Sequence, residues 1–178
     1  MSLLDLPAFA TAAPVLREAA LKLRTSEYSL TIAAPLNESG IFASALLEAA
    51  LLDAGIPYQR RLRENVEAAK GPSIVIDSAP VSQLQSIGTE PLCIHLAPLE
   101  VEALVASGGD PRRGVLSPVA LAAGLGNSIA PSGSMSRLLM PWVLAGNWLS
   151  SGLEHTYDPV YTVLRDYLSN EGYIRVVP

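Results

Sequence analysis

The segment from Ser29 to Ala54 constrains the fold of this chain more than any other. A short apolar run, Leu30–Ala34, leads into the polar turn Pro35–Gly40, and an apolar-faced helix is predicted from Ile41 to Ala54. A strand, a polar turn and a helix in this order are typical of α/β proteins, which place phosphate- or metal-binding groups in such turns because helix N-termini favour anions and strand ends converge there. The turn offers one amide, one carboxylate and one hydroxyl, without histidine, lysine or a glycine-rich loop.

Helices and strands alternate over the first hundred residues, which predicts a parallel sheet of about four to five strands with helices on both faces. Right-handed crossovers would bring the turns at Asn37, Asp77–Ser78 and His95–Ala97 to one edge of this sheet. The predicted elements are a helix at Ala8–Arg24, a strand at Leu30–Ala34, a helix at Ile41–Ala54, strands at Tyr58–Arg63 and Ser73–Asp77, a helix at Val81–Ile87, a strand at Leu92–His95 and a helix at Leu99–Ala106.

The chain after the break at Ser107–Pro111 is predicted to be mainly helical. We therefore expect one α/β domain of 178 residues, with a sheet core over 1–106 and a helical extension over 107–178. The extension has predicted helices at Ser117–Leu125 and Arg137–Ser150, a loop at Gly124–Ser136, a helix from Asp158 to Leu168 and a closing strand at Tyr173–Val177.

The composition narrows the class of protein. A net charge of −5 and a pI near 5.0 argue against a surface that is basic throughout, although a local basic stripe is compatible with both values. Only 16% of the residues are charged, which favours a permanent partner or self-association.

Cys93 is the only cysteine, so a disulfide framework and a thiolate zinc site are excluded. The N-terminus lacks the basic region of a signal peptide, and we expect a cytoplasmic protein.

Four segments carry a family resemblance in the right order. They are Pro35-Leu36-Asn37-Glu38-Ser39-Gly40, Ile76-Asp77-Ser78 ahead of Ser82-Gln83-Leu84, Ile94-His95-Leu96-Ala97-Pro98, and Leu144-Ala145-Gly146-Asn147-Trp148-Leu149-Ser150. Together with the element order, they resemble the DHH phosphoesterase family, which includes the RecJ nucleases. In that family the matching segments supply aspartates and histidines that bind two divalent metals, and the metals activate water against a phosphodiester.

The ligand positions of the family are filled differently in this chain. Asn37 and Ser39 stand at the two aspartates of the first motif, after Pro35 in the place of its histidine. Ser78 stands at the aspartate of the second motif, with Asp77 one residue early. His95, Leu96 and Ala97 replace Asp-His-His, the fourth segment has no carboxylate, and the second domain of these nucleases has no counterpart in the sequence.

Amides, hydroxyls and a leucine bind divalent ions poorly, so the resemblance implies a catalytically inactive member without a metal cofactor. An inactive member of the family is the replicative-helicase subunit cell division cycle protein 45, and archaea carry RecJ-like counterparts of it. The resemblance therefore implies a scaffold subunit of the archaeal replicative helicase assembly. Its implied partners are a GINS-type complex and the helicase ring.

Two alternative functions remain open at the level of the sequence. Glu38 and Asp77 could support a weak metal-dependent phosphoesterase or nuclease. The basic residues Arg60, Arg61 and Arg63, with Lys70 nearby, could bind single-stranded nucleic acid, a nucleotide or an acidic partner.

Each candidate residue also has a structural interpretation. Asn37 or Ser39 can cap the helix predicted from Ile41, and Asp77 can cap the helix predicted at Val81–Ile87. His95 can be a half-buried histidine of a strand without a catalytic role. The arginines can be the charges that protect an edge strand. His155 is expected in an exposed turn. Met140, Trp142 and Trp148 are expected in the core, or, where exposed, at a partner interface.

Overall fold

Four parallel strands form the centre of the protein, as seen in a computed structural model that describes residues 2–26, 28–64, 66, 70–84, 86–89, 92–105, 111–149 and 158–177. The strands are β1 (Leu30–Pro35), β2 (Tyr58–Arg63), β3 (Ser73–Ile76), β4 (Ser86–Thr89), β5 (Leu92–Leu96), β6 (Leu99–Val105) and β7 (Pro111–Leu116). The helices are α1 (Ala13–Thr25), α2 (Glu38–Asp53), α3 (Pro118–Ile129), α4 (Ser134–Leu139), α5 (Trp142–Asn147) and α6 (Pro159–Asn170).

The main sheet has the strand order β2-β1-β3-β5-β4. The first four of these strands are parallel, and β4 pairs antiparallel with β5 at the edge. Helices flank the parallel strands, with α2 contacting β1, β2 and β3 while α1 and α3 contact β5. The predicted α/β class and parallel sheet are therefore confirmed.

Strand β1 is buried along Leu30–Ala34, which places it inside the hydrophobic core. Leu30, Ile32 and Ala34 are almost fully buried and belong to one cluster with the apolar faces of the helices. Helix α3 lies between α1 and α2 and is apolar nearly all round, as expected for a helix that is covered on every side.

The predicted loop at Gly124–Ser136 is wrong over its first half, because α3 continues to Ile129. Its glycines permit close packing and do not mark a turn. A Cβ at Gly124 would lie within 2.7 Å of Leu4 Cδ2, and one at Gly126 would lie 3.1 Å from Ala50 Cβ on α2. The glycines thus let α3 approach its neighbours.

The predicted helix at Leu99–Ala106 is also wrong, because Leu99–Val105 is the strand β6, paired antiparallel with β7 in a separate hairpin. Its apolar residues alternate with Glu100 and Glu102, which are exposed. A period of two selects a strand over a helix. Arg113 on β7 lies 3.7 Å from Glu102 and 4.0 Å from Glu100, which supports the pairing.

Three further predicted elements differ in the structure. Val81 forms a parallel bridge with Leu99 and Ser86–Thr89 is a strand, so the helix at Val81–Ile87 is wrong where the chain is described. The predicted strand at Tyr173–Val177 has no regular structure over its described residues, which follow Gly172, a residue at φ 75° that ends α6. The predicted helix at Arg137–Ser150 is divided into α4 and α5 at Pro141, which has no N–H for the helical ladder.

Helix α1 begins at Ala13 rather than Ala8, with Pro14 in its first turn. Two short 3₁₀ turns, Leu3–Asp5 and Pro7–Phe9, precede it. Within the described ranges, no helix has both the length and the apolar character needed to cross a membrane.

Candidate functional site

The turns after β1 and β3 meet at the carboxyl edge of the parallel sheet. Asn37 follows β1 and Ser78 follows β3, and Asn37 Nδ2 lies 3.5 Å from Ser78 Oγ. The structure thus brings together two of the positions at which the sequence resemblance placed metal ligands. Pairing of β1 with β3 explains this proximity, because the ends of adjacent parallel strands lie side by side.

Asn37 caps helix α2. Its Oδ1 accepts a hydrogen bond of 2.8 Å from the N–H of Gly40, and its backbone is extended, as a capping residue requires. This bond fixes the orientation of the amide, since only oxygen can accept from an N–H. The NH₂ group of Asn37 therefore faces Ser78, so the side chain presents a donor where a metal site would need an acceptor.

Gly40 holds the first turn of α2 close against the end of β1. A Cβ at this position would collide with the Pro35 carbonyl oxygen and contact the Pro35 ring. The glycine of the first motif therefore has a steric role. It sets the distance between the end of the strand and the helix, and with it the position of Asn37.

Asp77 is half-buried at the end of β3 and stabilises the turn that follows. Its N–H donates to the Leu96 carbonyl at 2.9 Å, and its Oδ1 accepts from Ala79 N–H at 3.0 Å. The predicted cap of a helix at this residue is wrong, since the carboxylate closes a short Asx-type turn instead. Glu38 is exposed in the first turn of α2, and Ser39 beside it is half-buried.

His95 lies inside β5, one residue before the end of the strand, and it is half-buried. In the register of the sheet it pairs with Val75, in the row that continues through Ala33 to Arg61. Its side chain therefore projects from one face of the sheet. Among the described hydrogen bonds, none joins His95 to Asn37 or Ser78.

The three arginines of β2 do not form a single cluster. Arg60 points to the side of α2, where its Nη1 lies 3.0 Å from Glu48 Oε1. Arg61 and Arg63 alternate to the other face, and both are exposed. β2 is an edge strand, which agrees with the interpretation of these charges as edge protection. Lys70 is exposed in the following connection.

Glu48 on α2 also reaches the first residue of β2. Tyr58 Oη donates to Glu48 at 3.3 Å, and burial, followed by the charge of Glu48, raises the pKa of Tyr58. Glu48 is therefore shared between Tyr58 and Arg60. These contacts attach the edge strand to α2 and leave Arg61 and Arg63 as its outward charges.

Asn147 is a buried residue that the sequence analysis missed as a structural centre. It is fully buried, its Oδ1 accepts from Ser117 N–H at 3.2 Å, and its Nδ2 donates to Asp158 Oδ2 at 2.9 Å. Ser117 and Asp158 are themselves the caps of α3 and α6. Asn147 therefore connects the end of α5 with the first residues of α3 and α6. An asparagine inside an apolar helical stretch was the available signal.

The aromatic residues of the second half divide between core and surface. Met140 is buried as predicted, whereas Trp142 and Trp148 are each about half exposed, so the prediction of a core position for them is wrong. Trp142 stacks on Phe42 of α2 at 5.3 Å, and Trp148 meets Tyr161 edge-on at 6.2 Å. His155 lies outside the described residues.

The donor set at the sheet edge is mixed. It consists of the Asn37 amide, the Ser78 hydroxyl, the Asp77 carboxylate, which already accepts one backbone bond, and the exposed Glu38. Among the residues that the structure describes, no group of three His, Cys, Asp or Glu is placed to hold a metal ion. Such a set does not fit a pair of divalent ions, which need several carboxylates in close array.

Comparison with known proteins gives a structural relative but no sequence relative. No family model matches the chain. No curated protein matches it either.

A solved structure of the exonuclease RecJ bound to manganese matches with a TM-score of 0.55 at 13% sequence identity. The match covers 95% of this chain and 49% of the RecJ chain, so the chain spans about half the length of that protein. At this identity the similarity concerns the fold alone. The chain therefore has a RecJ-like fold.

Proposed function

We propose that this protein is a non-catalytic scaffold subunit with a RecJ-like fold, comparable to the archaeal counterparts of cell division cycle protein 45. In this proposal it binds a GINS-type complex and, with it, the helicase ring of the replication machinery. The fold similarity supports the scaffold, and the chemistry of the strand-end turns supports the lack of catalysis.

The orientation of Asn37 carries the proposal. A side chain whose oxygen is committed to the helix cap and whose NH₂ faces Ser78 repels a cation from the place where the family binds one. The turn keeps its structural role through the cap and through Gly40. A scaffold function needs the shape of this edge, and it does not need the ligands.

The partner surface that we propose lies on α2, α4 and α5, and both shorter helices pack against α2. Large apolar side chains on these helices are exposed, among them Leu138 at 77% and Trp142 at 49%. Ile41 and Met135 are also exposed. Exposed aromatic and aliphatic residues on neighbouring rigid helices are suited to anchor a protein partner.

A co-elution experiment tests this proposal. The purified protein is mixed with a purified archaeal GINS complex and run on a size-exclusion column, followed by titration calorimetry. We expect a complex that Leu138→Ser weakens at least about ten-fold, equal to about 1.4 kcal/mol. Tyr28→Ser is the matched control, because Tyr28 is 72% exposed and lies in the segment before β1, outside these three helices. No complex, or equal weakening in both variants, would contradict the proposal.

A second candidate function rests on Arg61 and Arg63. Both guanidinium groups are exposed on one face of the edge strand β2, which suits contact with the phosphates of a single strand. Binding of an oligothymidylate that falls steeply with salt, and that Arg61→Ala with Arg63→Ala weakens, would favour this candidate. Affinity unchanged between low and high salt would exclude it.

A further inference from the structure

A groove of about 600 Å³ lies at the other end of the molecule from the strand-end turns. It runs between α1, the end of α3 and the end of α6. Arg24, in the last turn of α1, precedes β1 by only a few residues, so this wall of the groove lies toward the amino ends of the strands. The residues that matter for its chemistry are Arg17, Arg24, Asn127, Arg137, Tyr167 and Tyr173.

Three arginines from two helices line this groove. Arg17 and Arg24 stand seven residues apart on one face of α1, which separates them by about 10 Å along the helix axis. Arg137 comes from α4, and its guanidinium carbon lies 5.2 Å from the centre of the Tyr173 ring. The protein has a net charge of −5, so three guanidinium groups around one groove are a local concentration of positive charge on an acidic protein.

The ion pairs in the described part of the chain leave most of this charge available. Arg17 pairs with Asp5 at 2.6 Å, and both side chains are about half exposed. No described carboxylate lies within 4.0 Å of a nitrogen of Arg24 or Arg137. Among the described residues, Glu171 is the one acidic residue that lines the groove itself. Counted over these described side chains, three cations face the two carboxylates of Asp5 and Glu171, and the excess is positive.

The uncharged lining adds aromatic and polar groups. Tyr167 is only 4% exposed. Burial, followed by the charges of Tyr173, Glu171 and Asp5, raises the pKa of Tyr167 to about 12, so its hydroxyl is neutral at pH 7. Tyr173 is half-buried and carries Arg137 over its ring. Asn127 accepts a hydrogen bond of 3.1 Å from Ser2 Oγ at the rim. Such walls suit a flat or sugar-like moiety beside an anion.

We propose that this groove binds a phosphate-bearing ligand of about nucleotide size. The planar donor fork of arginine matches phosphate oxygens in pairs, and three arginines that line one groove, two on α1 and one on α4, suit a ligand that carries more than one phosphate. A volume of about 600 Å³ is in the range of small-molecule sites. This function goes beyond the scaffold proposal and does not depend on the strand-end turns.

Titration calorimetry of the whole protein tests the groove. Pyrophosphate, adenosine diphosphate and a single-stranded oligothymidylate are titrated separately at about 50 mM salt, a concentration at which phosphate contacts are strong. The groove variant carries Arg24→Gln and Arg137→Gln. The matched control carries Arg112→Gln and Arg113→Gln on β7, which removes the same charge at two exposed residues that do not line the groove. Circular dichroism melts verify that both variants are folded.

We expect saturable binding of pyrophosphate or the diphosphate that weakens at least ten-fold in the groove variant and stays within two-fold in the control. A variant with Arg24→Lys and Arg137→Lys should retain intermediate affinity, because it keeps the charge but loses the fork. An oligothymidylate that competes for the groove would identify a nucleic-acid backbone as the phosphate source, and absence of competition would identify a free nucleotide. No saturable binding of any probe, or a loss confined to the β7 variant, would overturn the proposal.

Discussion

One amide decides what the turn after β1 can do. Asn37 uses its oxygen to cap α2 and turns its NH₂ toward Ser78. An aspartate could make the same cap while offering its second oxygen to a cation. Asparagine at this position thus makes the helix cap and offers no second acceptor.

Substitution at Asn37 separates the two roles. Asn37→Ala should lower the free energy of unfolding by about 1 kcal/mol, because the Gly40 N–H loses its acceptor. Asn37→Asp should stay within about 0.5 kcal/mol of the parent, because aspartate is an equally good cap. Urea denaturation followed by circular dichroism measures both. Equal losses in the two variants would show that the cap is not what Asn37 contributes.

Gly40 has a steric requirement that a substitution can expose. Replacing a helical glycine with alanine ordinarily stabilises a protein by about 0.5–1 kcal/mol. Gly40→Ala should instead destabilise this one by about 1–3 kcal/mol, because the new Cβ collides with the Pro35 carbonyl. The control is Gly71→Ala, where no atom of the described residues lies within 4 Å of the added carbon. Thermal melts that rank Gly40→Ala as the more stable variant would contradict the close approach.

At the scale of elements, single polar side chains join helices that are far apart in sequence. Asp53, near the end of α2, accepts from the backbone N–H of Met135 and Ser136 and from Ser136 Oγ at the start of α4. The Ser136 hydroxyl is the largest cause that lowers the pKa of Asp53, and the Ser136 backbone N–H comes next. Asp53 therefore acts as a cap supplied to α4 by another helix.

The lowered pKa predicts a pH-dependent contribution to stability. The charged carboxylate is favoured in the folded state, so its contribution is complete above the ordinary value of 3.8 and is lost as the pH falls through the lowered value. Asp53→Asn should destabilise the protein at pH 7 by about 1 kcal/mol, the usual worth of a cap. Urea midpoints of parent and variant should converge when the pH is lowered below 3.8.

Asp166→Asn provides the control for this pH dependence. Asp166 is exposed and pairs with the neighbouring Arg165, so the substitution removes the same charge without uncapping α4. Its effect at pH 7 should stay within about 0.5 kcal/mol. A gap between parent and Asp53→Asn that stays constant from pH 7 to pH 3 would show that the carboxylate charge plays no part in the cap.

Sequence reasoning recovered the elements whose signals are local. The strands of the parallel sheet, the Asn37 cap and the Asp158–Pro159 start of α6 are each encoded by adjacent residues. The strand β6 was missed although its alternation with Glu100 and Glu102 was visible in the sequence. The glycines of α3 led to the wrong prediction of a loop, because close helix packing and turns both use glycine. Only the tertiary contacts distinguish a glycine of the first kind from one of the second.

The candidate site could be predicted only in part, for a physical reason. Parallel strands bring their carboxyl ends to one edge, so the proximity of Asn37 and Ser78 follows from the order of elements. The division of Arg60 from Arg61 and Arg63 follows from strand alternation once β2 is assigned. The three-arginine groove could not be foreseen, because α1 and α4 meet there only through tertiary packing.

The whole molecule combines a RecJ-like fold with a strand-end turn that is not built for metal. The match to RecJ extends over 95% of this chain at 13% identity, and the chain spans about half of that protein. In the scaffold proposal the protein is used for its surface and not for catalysis. This is the central claim of the scaffold proposal.

The most direct test is manganese-dependent hydrolysis of an end-labelled single-stranded oligonucleotide at high protein concentration. RecJ serves as the positive control, and Asp77→Ala and Asp166→Ala are assayed beside the parent. The scaffold account predicts no nucleotide release above the protein-free level by the parent or either variant, with all three folded. Manganese-dependent release by the parent that disappears in Asp77→Ala and persists in Asp166→Ala would contradict it and identify a diverged nuclease.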